Sequence, residues 1–138
     1  MGFELSWRGK MRLLVAAALA LPMVANASCW TVKDLKGSSY SEREGYSRID
    51  DAFSGTFTIV IDGDNATVLY DGLDGGGMVY RAMSKNVVVG LTTEPGKHAM
   101  ETWVVQPDGV VLMSKTLAGF GGMDSAKAMV GRVAGQCK

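Results

Sequence analysis

The sequence predicts an all-β protein with a minor helical part. We expect a single-domain antiparallel meander of about eight strands, shaped as a small barrel or a sandwich and closed by a terminal disulfide. Three observations support this fold class. Apolar and polar residues alternate with a period of two, turn residues recur about every ten positions, and two cysteines lie near opposite ends of the exported chain.

The first 27 residues have the three parts of a secretory signal peptide. Three basic residues precede the apolar run Leu13 to Val24, and Ala25 and Ala27 are the small residues expected before the cleavage point. The run is shorter than the roughly 20 apolar residues of a membrane helix, so we expect no stable membrane insertion after processing. A retained anchor and a lipid on Cys29 are the weaker alternatives. The sequence therefore predicts a signal peptide at 1–27, one exported β domain at 28–138, and a periplasmic or secreted location.

The exported part is small and nearly neutral. Removal of 27 of the 138 residues leaves 111, with eleven basic and thirteen acidic side chains interspersed. This length corresponds to one domain. Nucleic acids are recognised by clustered basic residues, which are absent from the sequence, so we expect no nucleic-acid partner.

Cys29 and Cys137 are the only cysteines of the chain. In an oxidising compartment two such residues are expected to pair. Because the pair would hold its Cα atoms about 5.5 Å apart, the first and last strands should lie side by side. Neighbouring first and last strands favour a closed or nearly closed sheet.

The strands are predicted in order along the chain. Ser28 to Leu35 forms the first. Residues 36–54, which are polar and rich in glycine and serine, are predicted as a long loop with one helical turn near Ile49 to Phe53. Six further strands follow, at 56–61, 66–70, 78–83, 87–93, 99–106 and 110–117. Asp124 is expected to cap a short helical turn over Ser125 to Ala128, before a last strand at Met129 to Ala134.

Catalytic and metal-binding patterns are weak. His98 is the only histidine, so a hydrolytic triad would have to use it, and it is expected in a solvent-facing turn. The acidic pairs Asp62 with Asp64 and Asp71 with Asp74 lie in glycine-rich turns, where aspartate is favoured for its bonds to the backbone. We therefore expect no enzyme, no metal and no cofactor.

Several strands are apolar on both faces, notably around Val87 to Val89, Trp103 to Val105 and Val110 to Met113. A half-exposed sheet is expected to be polar on one face. Either a helix or the loop 36–54 covers the second face, or these strands form a contact surface for another protein. Self-association stays open.

The sequence favours a non-catalytic exported binding protein, and its concrete form is an inhibitor or immunity protein that blocks a cell-wall hydrolase. The partner would be another protein, such as a peptidoglycan hydrolase or a toxin, and flexible acidic loops would enter its cleft. The candidate contacts lie in two loops: Asp71, Asp74, Gly76, Glu94, Lys97 and His98. The alternative is a small barrel that binds an apolar small molecule, although bulky residues on most strands predict a filled interior.

Overall fold

The structure is a computed structural model that describes residues 27–74, 77–92 and 94–137. These residues form nine strands and one short 3-10 helix, Glu42–Glu44. The strands are β1 Ser28–Ser41, β2 Arg48–Ala52, β3 Phe57–Asp62, β4 Asn65–Tyr70, β5 Met78–Ser84, β6 Val87–Thr92, β7 His98–Val105, β8 Val110–Ala118 and β9 Ser125–Gln136. The predicted signal peptide lies almost wholly outside the described residues.

Eight of the strands form a closed antiparallel barrel. The neighbours run β1, β3, β4, β5, β6, β7, β8, β9, and a β1–β9 pairing closes the ring. That pairing extends from Trp30 opposite Gln136 to Ser41 opposite Ser125. The predicted all-β meander is confirmed, and the choice between barrel and sandwich is decided in favour of the barrel. Closure leaves few strand edges free to pair with another chain.

The strand outside the barrel ring, β2, shows that the prediction for residues 36–54 was wrong. Instead of a long loop with a helical turn, this segment contains the end of β1, the 3-10 helix and β2. The first half of β1 pairs with β3 and its second half with β2. Local composition gave no strand signal, because the extended form is stabilised by backbone hydrogen bonds to β9 and β2 rather than by an apolar face. A Cβ at Gly37 would lie 2.0 Å from the carbonyl oxygen of Ala128, so only glycine allows this approach.

The predicted helical turn after Asp124 is also wrong. β9 already begins at Ser125. The Oδ1 atom of Asp124 accepts a hydrogen bond from the Phe120 N–H at 2.9 Å, so this side chain stabilises the glycine-rich turn before the strand instead of capping a helix. Pairing with both β8 and β1 overrides the weak local preference for a helix.

The predicted disulfide is confirmed. Cys29 and Cys137 are bonded, with their Cα atoms 5.1 Å apart, and the Cys137 N–H donates to the Cys29 carbonyl at 3.0 Å. The covalent link thus lies at the end of the β1–β9 ladder. Disulfides form and persist in oxidising environments, which indicates a non-cytoplasmic location. Within the described ranges, no helix has the length and apolar character needed to cross a membrane.

The barrel interior is filled by side chains over most of its height. Trp103 is the largest fully buried residue, and the others in that class are Leu35, Ile59, Val32, Val88 and Val111. Trp30 is partly buried and packs against this cluster. An eight-stranded barrel has an interior just wide enough for such filling.

The two ends of the barrel differ. Because neighbouring strands of the barrel are antiparallel, the connections after β3, β5 and β7 share one end, here called the turn end, and each is a tight hairpin. The connections after β1, β4, β6 and β8 share the other end, here called the loop end, and are longer.

Candidate binding site

The charged pair Glu101 and Lys115 lies inside the barrel. Glu101 is 4% exposed and alternates along β7 with the buried residues Ala99 and Trp103. Lys115 is directly opposite on β8, so both side chains point to the same side of the sheet. The Lys115 Nζ atom lies 3.1 Å from Oε2 of Glu101.

The second oxygen of Glu101 is also bonded. Its Oε1 accepts hydrogen bonds from the Tyr80 hydroxyl, at 3.0 Å, and from the Trp103 indole N–H. A buried carboxylate is costly unless it is paired and hydrogen-bonded, and here three donors from three strands satisfy it. Burial, together with the negative charge of Glu101, raises the pKa of Tyr80 far above its usual value. Tyr80 therefore stays a hydrogen-bond donor throughout the physiological range.

A pocket of about 250 Å³ opens next to this cluster. Five aromatic side chains and six other residues line it: Phe53, Phe57, Tyr70, Tyr80, Trp103, Val68, Asp74, Met78, Glu101, Met113 and Lys115. Phe57 connects the rings, with centroids 5.1 Å from Phe53 and 4.9 Å from Trp103. The pocket is thus an aromatic cleft with one fixed ion pair on its wall.

The divergence of β4 from β5 creates this pocket. Within the described residues these strands pair in register only at Asn65 and Arg81, near the turn end, while the neighbouring strand pairs have long ladders. On the far side of β5, a Cβ at Gly90 would lie 2.5 Å from the Tyr80 ring. Gly90 therefore allows Tyr80 to lie across β6 and reach Glu101.

A second ion pair lies between β9 and β2. The Lys127 Nζ atom is 3.1 Å from Oδ2 of Asp51 and 5.0 Å from the centroid of the Phe53 ring. Partial burial acts to raise the pKa of Asp51. Hydrogen bonding and charge from Lys127, with further hydrogen bonds from Ser39 and the Ala52 backbone, outweigh it and lower that pKa. Lys127 thus connects β2 to the barrel and orients one aromatic wall of the pocket.

The first predicted contact loop, 71–77, lies at the loop end. Asp71 makes two hydrogen bonds to Thr56. Its N–H donates to the Thr56 carbonyl and its Oδ1 accepts from the Thr56 N–H, both at 2.8 Å. Asp71 thus anchors the loop. Asp74 lines the pocket, and Gly76 lies outside the described residues.

The second predicted loop is at the same end. Lys97 pairs with Glu94 at 3.0 Å and lies 5.7 Å from the centroid of the Phe120 ring. His98, expected in a turn, is the first residue of β7 and is exposed.

The connections at the loop end contact one another in a continuous series. A Cβ at Gly77 would lie 3.7 Å from the carboxylate of Glu94, and a Cβ at Gly119 would lie 2.2 Å from the carbonyl oxygen of Gly96. The Glu42 N–H donates to the Asp124 carbonyl at 2.8 Å. We call this series the loop rim; its described residues are 42–47, 71–74, 77, 94–97 and 119–124. The structure therefore brings the two predicted loops together.

Sequence reasoning missed the interior polar residues Tyr80, Glu101, Lys115, Lys127 and Asp51. A signal was present for two of them. Glu101 and Lys115 occupy the same alternating phase as buried apolar neighbours, and a charge at such a position needs a partner. Their partners could not be identified, because pairing across strands depends on the register.

In the part of the chain that the structure describes, no group of three histidine, cysteine, aspartate or glutamate side chains is placed to hold a metal ion.

Comparisons with protein-family models, with curated proteins and with solved structures found no match for this chain.

Proposed function

We propose that this protein is a non-catalytic exported binding module that occludes a protein partner with its loop rim. The concrete form of the proposal is an inhibitor or immunity protein against a cell-wall hydrolase in the periplasm. The observation that supports it is the mutual contact of four connections at one end of a closed, disulfide-linked barrel. A surface ordered before binding loses less conformational entropy when the complex forms, which favours tight association.

The side chains of the loop rim fit a protein interface. Tyr46, Leu73 and Met123 are each more than half exposed. Large apolar anchors surrounded by polar residues are typical of protein–protein contacts, and tyrosine and methionine are enriched there.

The charge of the loop rim favours a basic partner. Its described residues include six carboxylates and two cations: Glu42, Glu44, Asp71, Asp74, Glu94 and Asp124 against Arg43 and Lys97. An enzyme that acts on an anionic cell-wall polymer is expected to carry basic groups around its cleft. An acidic surface would be steered to that cleft and would compete with the polymer.

The test uses the processed protein, residues 28–138, and a panel of purified cell-wall hydrolases. Calorimetry measures binding, and clearing of a cell-wall suspension measures inhibition. Glu44→Lys and Leu73→Ser alter the loop rim, while Asp62→Lys and Met83→Ser make the same kinds of change near the turn end. We expect each rim variant to weaken binding about tenfold, or ~1.4 kcal/mol, and the controls to bind like the parent. The proposal is refuted if no hydrolase is bound or inhibited, or if the controls weaken binding as much as the rim variants.

A second candidate function is supported by the aromatic pocket. Five rings around about 250 Å³ would suit a small apolar or aromatic molecule, since ligand sites of roughly 300–1,000 Å³ with mostly apolar walls are common. Side chains fill the rest of the barrel interior, so such a ligand would be restricted to the pocket.

Naphthalene is a suitable probe for this second function. Binding should shift the amide-region NMR signal of the Trp103 indole N–H, and Val68→Trp, which fills the pocket, should abolish the shift. An unchanged Trp103 signal up to the solubility limit of naphthalene would refute the pocket as a site for aromatic molecules of this kind.

A further inference from the structure

The outer face of β6–β9 contains no charged side chain over its central part. Buried residues alternate along these strands with residues that point outward. The outward residues define what we call the outer wall: Val87, Val89, Leu91, Met100, Thr102, Val104, Val110, Leu112, Ser114, Thr116, Ala126, Ala128 and Val130. None of these thirteen residues is ionisable; Arg132, opposite Val110, and His98, at the start of β7, point outward beyond the two ends of the wall. The sequence left open whether a cover or a partner protects this face.

No described segment covers the outer wall. Leu91, Met100, Leu112 and Val130 are 46%, 54%, 39% and 49% exposed. Residues 36–54, the expected cover, extend the sheet along β1 instead. The face is therefore open to solvent in a single copy of the chain.

The outer wall has a ridged relief. Cross-strand register places Leu91 beside Met100 in one row, and Val104, Leu112 and Val130 in another.

Smaller residues lie between these rows: Val89, Thr102, Ser114 and Ala128. The hydroxyls of Thr102 and Ser114 bond to each other, so one of their two O–H donors keeps a partner when water is removed. Two ridges with a groove between them can interlock with a copy of themselves.

We propose that the outer wall is the contact surface between two copies of this chain. In a two-fold contact the same patch faces itself, so a charged patch would meet its own charges. The uncharged wall avoids that repulsion. Pairing through strand edges, the other common route between β proteins, is confined to the free edge of β2 and the gap between β4 and β5, because the barrel is otherwise closed.

The size of the outer wall sets the expected affinity. Four strands about 4.8 Å apart, each contributing about six residues at ~3.3 Å, form roughly 400 Å² of wall per copy. Because they are half of a closed barrel, the wall is convex, and two copies would bury at most about 800 Å² of it, which is in the range of weak, transient interfaces. A reversible dimer with a Kd of about 10–100 μM is the expected outcome. The loop rim lies at the end of the barrel, so a dimer keeps both rims accessible.

Sedimentation velocity of residues 28–138 between about 1 μM and 1 mM tests the proposal, since this range brackets the expected Kd. The parent protein should convert from monomer to dimer with rising concentration. Met100→Lys and Leu112→Lys should remain monomeric up to the highest concentration. Leu69→Lys, on the outward side of β4 away from the wall, should dimerise like the parent. Circular dichroism confirms that each variant is folded, and Met100, the more exposed of the two wall residues, is the variant least able to disturb the fold.

Three results would overturn the proposal: a parent protein that stays monomeric throughout, a dimer that both wall variants retain, or a loss of dimer in Leu69→Lys equal to that of the wall variants. Binding of a monomeric parent to phosphatidylcholine vesicles would assign the wall to a lipid surface instead. None of these results depends on the loop rim, so the proposed function is tested separately.

Discussion

Replacement of Glu101 by leucine should destabilise the protein because it removes the acceptor on which three donors converge. In the parent, the carboxylate bonds to the Tyr80 hydroxyl, the Trp103 indole N–H and the Lys115 ammonium. Leucine has similar volume and no acceptor. All three donors would lose their partner at once.

The magnitude follows from the burial of each donor. Trp103 is 1% exposed, so its N–H cannot reach water, and an unsatisfied buried donor costs about 1–3 kcal/mol. The Lys115 side chain is 29% exposed and can turn outward, which reduces its share. We expect a total loss of about 3 kcal/mol, at the lower limit for breaking a buried ion pair. In a domain of this size that corresponds to a fall in Tm of about 12 °C.

Urea unfolding at pH 7, followed by far-UV circular dichroism, measures this loss. Lys115→Met and the double variant complete a thermodynamic cycle. Because the double variant leaves no buried charge without its partner, it should be more stable than the sum of the single losses predicts, by about 2 kcal/mol. Additive losses to within ~0.5 kcal/mol, or a Glu101→Leu loss below that value, would refute the reasoning.

Three further predictions concern other parts of the barrel. Cys137→Ser should lower the free energy of unfolding by up to about 4.7 kcal/mol, because the disulfide closes a loop with a sequence separation of 108, and urea titration of the parent with and without reductant should show the same difference. Gly37→Ala should cost about 1–3 kcal/mol through the clash with the Ala128 carbonyl, while Gly135→Ala, whose Cβ has room beside Thr31, should change thermal stability little. The pKa of Asp51 is lowered on folding, so its contribution to stability is present above the ordinary value of 3.8 and is lost as the pH falls through the folded value. Urea unfolding from pH 7 to pH 2 should therefore show a smaller acid-dependent loss in Asp51→Asn than in the parent, and parallel curves would contradict this assignment.

Local patterns in the sequence were sufficient to predict the hairpins. In β3 every second residue is apolar and faces the core. The pattern predicts that Phe57, Ile59 and Ile61 are buried, and all three are. The turns at the turn end were located correctly since glycine, asparagine and aspartate provide the backbone conformations that tight hairpins require. The disulfide was predictable because a single pair of cysteines allows one intramolecular partner.

The end of β1 and the whole of β2 could not be predicted in this way. Ser39 is buried and Gly37 contacts the β9 backbone, yet neither residue type signals a strand. Their extended conformation is stabilised by partners about 90 residues away in sequence. The same applies to the start of β9, where Asp124 favours a helical turn locally but pairing with β1 and β8 stabilises a strand instead.

By itself, the amino-acid sequence determined the all-β class, the approximate positions of most strands, and the covalent connection between the ends of the domain. These properties depend on residue type and on spacing along the chain. Tertiary structure alone decided the choice of a barrel over a sandwich, the meeting of Glu101 with Tyr80 and Lys115, and the contact among the four connections of the loop rim. Each of these requires a register between distant strands, and register is set by the combined packing of the whole barrel rather than by any one segment.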